Sequence, residues 1–131
     1  MKYINVPTGA LVSGANPLTK DELGNPLRVG HCRGVVIDVR VTSISGESPE
    51  VTPLVFALPS TGSRVPLIVG AAIATTSAIR LTVLPEVTPD QMAPTTPKVQ
   101  ASAAMTDRFD IELVLAAGTT ATVEVGVALV P

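Results

Sequence analysis

The chain predicts an all-β protein whose strands pair antiparallel into a sandwich, and three observations carry that prediction. Val, Ile and Thr supply 41 of 131 residues, and branching at Cβ favours extended backbone over helix. Twelve prolines and ten glycines cut the chain into short elements. Several stretches alternate apolar and polar residues with a period of two, the signature of a half-buried strand.

The first segment, residues 1–33, has no sustained period. Pro7, Gly9, Gly14, Pro17, Gly24, Pro26 and Gly30 interrupt it repeatedly. Such a segment is either an extended arm laid on a neighbour or a long loop wrapping its own domain, and the expectation is the arm. Within it, Thr19-Lys20-Asp21-Glu22-Leu23-Gly24 suits one helical turn capped by Thr19 and stopped by Gly24.

Regular structure is expected from Gly34 onward, in a domain covering residues 34–131. Val35, Ile37, Val39 and Val41 alternate with Val36, Asp38, Arg40 and Thr42, and Ser45-Gly46-Glu47-Ser48-Pro49 turns the chain. Val51 to Leu58 alternates again, with Leu54, Phe56 and Leu58 on one face and Pro53 marking an edge strand or a bulge. After Pro59-Ser60-Thr61-Gly62-Ser63 comes a short strand from Arg64 to Val69. Gly70 to Thr76 suits a loop, an irregular edge or a helical turn. Ile79, Leu81 and Val83 share one side of a strand ending at Leu84.

Residues 85–107 contain Pro85, Pro89, Pro94 and Pro97 with almost no apolar rhythm, and read as a long Pro-rich surface loop. Loops of this length in compact domains have a binding or covering role, or are mobile. The last two strands are the clearest. Phe109, Ile111, Leu113 and Leu115 line one face, Ala117-Gly118-Thr119-Thr120 turns, and Val123, Val125, Val127 and Leu129 line the next. Their apolar faces need a cover, and in a chain without a good helix that cover is another sheet. The expected architecture is therefore an antiparallel β-sandwich, immunoglobulin-like or jelly-roll-like, with an extended N-terminal arm.

An internal echo supports two sheets. Asp38 precedes Gly46 by the same interval as Asp110 precedes Gly118, and Val51 and Val55 follow Gly46 as Val123 and Val127 follow Gly118. The same strand–turn–strand unit is used twice, and two such hairpins facing one another would supply the core.

The composition also narrows function. Nine basic and eleven acidic residues give a formal charge of −2, a charged fraction below the roughly 25–35% that suits the surface of a free soluble domain. Covering by copies of itself or by other proteins is the economical explanation. The basic residues are scattered singly and Tyr3, Phe56 and Phe109 are the only aromatics, so direct nucleic-acid binding is not expected. No apolar run is long enough to span a bilayer as a helix, and no secretory pattern opens the chain.

Chemistry-bearing residues are sparse. Cys32 is the only cysteine and His31 the only histidine, which is too few for a common zinc set. Ser45-Gly46-Glu47-Ser48 and Thr61-Gly62-Ser63 lack the spacing of a nucleophile elbow or a phosphate loop. Asp107, Asp110 and Glu112 have the composition of a cation site, but Arg108 stands on the same strand face as the last two and can balance them. No catalytic, cofactor-binding or metal-ligating residue is assigned, and no cofactor or enzymatic activity is expected.

Val35-Val36-Ile37-Asp38-Val39-Arg40-Val41-Thr42-Ser43-Ile44-Ser45-Gly46-Glu47-Ser48-Pro49 resembles the opening strand and turn of small virion structural proteins of tailed bacteriophages. Arg108-Phe109 through Gly118-Thr119-Thr120 to Val127 is similar to the way such chains end. The resemblance covers mainly residues 34–58 and 108–129; the lack of Trp and the Pro-rich stretch 85–107 depart from it. It implies a capsid decoration or cement protein, or else a head–tail connector or tail protein. Its partners would be other copies of itself and the major capsid or head–tail proteins, and its location the virion, assembled in the host cytoplasm. A carbohydrate- or host-surface-binding sandwich is the alternative of a different class, set back by the shortage of aromatic platforms.

Overall fold

The computed structural model describes residues 2–58, 63–85, 100–102 and 107–131. Nine strands run through them: β1 (Lys2–Val6), β2 (Gly14–Leu18), β3 (Gly34–Ser45), β4 (Val51–Leu58), β5 (Val65–Val69), β6 (Ala78–Leu84), β7 (Gln100–Ser102), β8 (Arg108–Leu115) and β9 (Thr120–Val130). They form two sheets, one in the order β1-β9-β3-β6-β7 and the other β2-β8-β4-β5. Every pairing is antiparallel except β6 with β7. The expected all-β, two-sheet arrangement is what the chain adopts.

The alternation read from the sequence sets the inner faces. Val35, Ile37, Val39 and Val41 of β3, Leu81 and Val83 of β6, and Val123, Val125, Val127 and Leu129 of β9 are buried from the five-stranded sheet. Phe109, Ile111, Leu113 and Leu115 of β8 and Val51 and Val55 of β4 are buried from the four-stranded one. They join in a single apolar cluster, and each such side chain removed from water contributes about 1.5–3 kcal/mol. In β4 the bulkier residues point the other way: Leu54, Phe56 and Leu58 are half-buried on the outer face.

The repeated unit is real but is not a hairpin. β3 lies in one sheet and β4 in the other, and β8 and β9 are divided the same way. Each unit is an arch between sheets, and the two arches lie side by side because β3 pairs with β9 and β4 with β8. The turns are tied by Ala116 N donating to Glu50 O (3.0 Å) and Glu50 N donating to Thr119 Oγ1 (3.1 Å). A register shift between Val41 and Ser43 bends the long β3–β9 ladder just before the turn.

The arm expected of residues 1–33 is not what this segment builds. β1 pairs with β9 and β2 with β8, closing one side of both sheets of the same chain. Val6, Leu18, Leu27 and Val29 are buried in the common core. Five-residue strands set between prolines and glycines show only two or three alternations each, so their period is invisible against a loop. The helical turn expected at Thr19–Gly24 is also replaced. Lys20 bridges Pro26, and Asp21 rather than Thr19 organises the turn: its Oδ1 accepts from Leu23 N and Asn25 N, both at 2.9 Å.

Of the Pro-rich stretch 85–107, residues 86–99 and 103–106 lie outside the described residues, as do residues 59–62 before β5. Gln100–Ser102 within it form β7 on the edge of the five-stranded sheet. Gly70–Thr76 is irregular, with Ile73 bridging Val51.

Pro53, expected at an edge or a bulge, sits inside the central strand β4. Its carbonyl accepts from Gly70 N (2.9 Å), just past the end of β5. A residue in an antiparallel strand turns its N and its carbonyl to the same side, so the missing N–H falls where β5 has run out. The edge strands β2 and β5 each carry a proline, Pro17 and Pro66, which blunts their capacity to recruit a further strand.

Candidate functional site

Two surfaces stand out once the sheets are assembled, one on the outer face of each. Ile4 and Val6 turn inward from β1, so Tyr3 and Asn5 turn outward. By the same alternation Glu124, Gly126 and Ala128 of β9 and Asp38 and Arg40 of β3 face outward. Pairing places Asn5 and Asp38 on either side of Gly126, and Arg40 directly opposite Glu124.

Because Gly126 brings no side chain, a depression of about 560 Å³ opens over it. Asn5, Pro7, Thr8, Glu22, Asp38, Arg40 and Glu124 line it. Glu22 reaches this wall because the Asp21-centred turn leans on β1, with Glu22 N donating to Asn5 O (3.2 Å). Thr8 is fixed by Oγ1 donating to Val123 O (2.9 Å). Asp38 is held by Arg80 of β6 through two hydrogen bonds, 2.7 and 3.3 Å. That pair, with Tyr3 close enough to act on the same guanidinium, raises the Arg80 pKa above its ordinary value. The side chains of Asn5, Glu22, Arg40 and Glu124 have no hydrogen-bond or ion-pair partner among the described residues. The depression thus presents an amide, a guanidinium and carboxylates ready to donate to and accept from a ligand.

On the outer face of the four-stranded sheet, Leu54, Phe56 and Leu58 form a half-buried row beside Val114, and Val69 of the edge strand is 40% exposed. Arg64 lies over Phe56, 4.2 Å from the ring centroid, and donates to Glu112 Oε2 at 3.1 Å. Asp110 and Glu112, only 6% and 8% exposed, share this face. Burial raises the Asp110 pKa, opposed by the charges of Arg64 and Arg108 and reinforced by that of Glu112.

The residues singled out in the sequence are not brought to one place. Asp107 pairs with Arg28 (2.6 Å) and accepts from Gly30 N (3.3 Å), closing the end of the sandwich rather than joining Asp110 and Glu112. Asp110 and Glu112 share one face, where Glu112 is paired with Arg64 (3.1 Å) and the charges of Arg64 and Arg108 both act on Asp110. His31 is exposed, while Cys32 is half-buried against the core in the bend before β3. Among the described residues no group of three His, Cys, Asp or Glu side chains is placed to hold a metal ion. None of their helices is long and apolar enough to cross a membrane.

The residues that sequence reasoning missed are Asn5, Glu22, Arg40, Glu124 and Gly126. The one available signal was a glycine in the middle of an otherwise regular strand, which often marks close approach by a ligand or another backbone. Comparison with known protein families, with curated proteins and with solved structures found no match to this chain.

Proposed function

We propose that this protein is a jelly-roll virion structural protein, most specifically a capsid decoration or cement protein that acts by surface contact rather than by catalysis. The observation that carries the reading is the strand order. With the short β7 set aside, β1-β9-β3-β6 faces β2-β8-β4-β5, the order produced when two Greek keys are wound into a double sheet. That architecture recurs in viral capsid and lectin domains. Topology alone is an analogy and does not fix function; the likeness of residues 34–58 and 108–129 to phage virion proteins supports the same choice.

The outer face of the four-stranded sheet supplies a contact surface. Leu54, Phe56 and Leu58 offer apolar area, and the prolines on β2 and β5 favour use of the face over pairing along the edges. Other copies of the chain and the major capsid protein are the proposed neighbours. The cementing contacts belong to this folded face and not to a free arm, because Lys2–Val6 and Gly14–Leu18 are strands of the chain's own sheets.

Electron microscopy of intact particles carrying a small tag at the C terminus tests the proposal. Label spread over the icosahedral shell is the expected result. Label at one vertex or along a tail would move the protein to the head–tail connector or tail, and particles without label would overturn the virion reading.

A further inference from the structure

We infer that the depression over Gly126, on the outer face of the five-stranded sheet, is a binding site for a neutral saccharide. The argument starts from the glycine. Every other glycine of the described residues has a positive φ or a neighbour that a Cβ would strike. Gly126 has neither: its φ is not positive, and an added Cβ would meet nothing within 4 Å. The fold therefore does not require glycine here, in a central strand where β-branched residues are favoured. What glycine provides is access to the backbone between Asn5 and Asp38.

The walls define the ligand. The unpartnered side chains of Asn5, Glu22, Arg40 and Glu124 combine carboxylate acceptors with guanidinium and amide donors around a space of about 560 Å³, within the usual range for small-ligand sites. A hydroxyl donates and accepts at once, so a polyhydroxylated ring can satisfy both kinds of group, which a simple cation or anion cannot. Glu22, Asp38 and Glu124 set against Arg40 and Arg80 leave an excess of negative charge, which disfavours acidic polymers. Tyr3 adds an aromatic surface. It is 76% exposed and lies on the same face two residues from Asn5. An exposed ring with one apolar face and a polar tip suits the C–H face of a sugar. The chain is poor in aromatics, but one of its three stands beside this depression.

The test uses the full chain with linear hexasaccharides of glucose, mannose, galactose and N-acetylglucosamine, and a hexauronate as the charged control, read by saturation-transfer NMR and calorimetry. At least one neutral hexasaccharide should bind, and more tightly than the hexauronate. Gly126→Val sets a side chain over the floor of the depression, and its Cβ meets nothing within 4 Å, so it should lower that affinity at least tenfold while the melting temperature stays level or rises. Tyr3→Ala should also weaken binding. No binding by any neutral hexasaccharide, or binding undiminished in Gly126→Val, would overturn the assignment. A large fall in the melting temperature of Gly126→Val would overturn its premise, because the glycine would then serve the fold. The virion proposal is untouched by either result, since it is read from the place of the label on the particle.

Discussion

The turn that follows β3 and the turn that follows β8 touch at Gly46 and Gly118: a Cβ on Gly46 would lie 2.7 Å from the Gly118 carbonyl oxygen. The contact exists because the two arches are stacked, with Ser45 paired to Thr120 on one side of the turns and Val51 paired to Leu115 on the other. The two glycines recognisable as equivalent in the sequence are thus neighbours in space.

Gly46→Ala should be strongly destabilising. Gly46 has φ 138°, a backbone conformation that side chains rarely adopt, and the methyl group would press on backbone atoms that cannot rotate away. Strain of this kind costs on the order of 1–3 kcal/mol. Gly118 has φ 77° with open space around its Cβ position, and Asn tolerates left-handed backbone, so Gly118→Asn should cost well under half as much. Urea unfolding of the two variants gives the comparison; equal losses would mean that the contact between the turns contributes nothing.

Deletion of residues 1–20 should abolish cooperative folding. The truncation removes β1 and β2, strips one flank from each sheet, and takes Val6 and Leu18 out of the core. It also bares the edges of β9 and β8, whose backbone groups then lack partners. Circular dichroism against temperature should show no sharp transition. A sharp transition near that of the full chain would mean that these strands are dispensable, as a free arm would be.

The difference between an arm and two strands shows where sequence reading stops. β3, β8 and β9 are eight to twelve residues long, enough alternations to declare both strand and face. β1 and β2 are five residues each, and β2 contains Pro17 and opens at Gly14. Their strand identity comes from what β9 and β8 offer them, a tertiary cause with no local signal. The depression over Gly126 was hidden for a related reason. Its walls come from residues 5–8, 22, 38, 40 and 123–126, which meet only because β9 runs between β1 and β3. The row Leu54, Phe56 and Leu58 was legible as a face, but its position outside the core follows from the pairing of β4 with β8.

Arg64→Ala should destabilise by about 1–2 kcal/mol, by removing both its stacking on Phe56 and the partner of a nearly buried carboxylate. The Arg64 side chain is itself 41% exposed, so solvent screening discounts the full value of a buried pair. Arg64→Lys should recover only part of the loss, because an ammonium cannot stack flat on the ring while reaching Glu112. A double-mutant cycle of Arg64→Ala with Glu112→Gln should give a coupling of about 1 kcal/mol. A coupling near zero would show that the ion pair adds nothing to the stacking.

Asp110→Asn should stabilise the protein at neutral pH. The residue is only 6% exposed, no hydrogen bond from the described residues reaches its carboxylate, and burial raises its pKa in the folded state above the ordinary 3.8. The unfolded chain therefore releases this proton at a lower pH than the folded one. Below the ordinary value both states hold the proton and the group carries no penalty. As pH rises from there through the folded-state value, the unfolded state gains by ionising first and stability is lost, and above that value the loss is constant. Asparagine keeps the shape without the charge. The urea midpoint of Asp110→Asn should exceed that of the parent at pH 7, and the gap should narrow as pH falls toward 3.8. A gap independent of pH would place the effect in packing, and a variant less stable at pH 7 would show that Arg64 and Arg108 more than offset the cost of burying the charge.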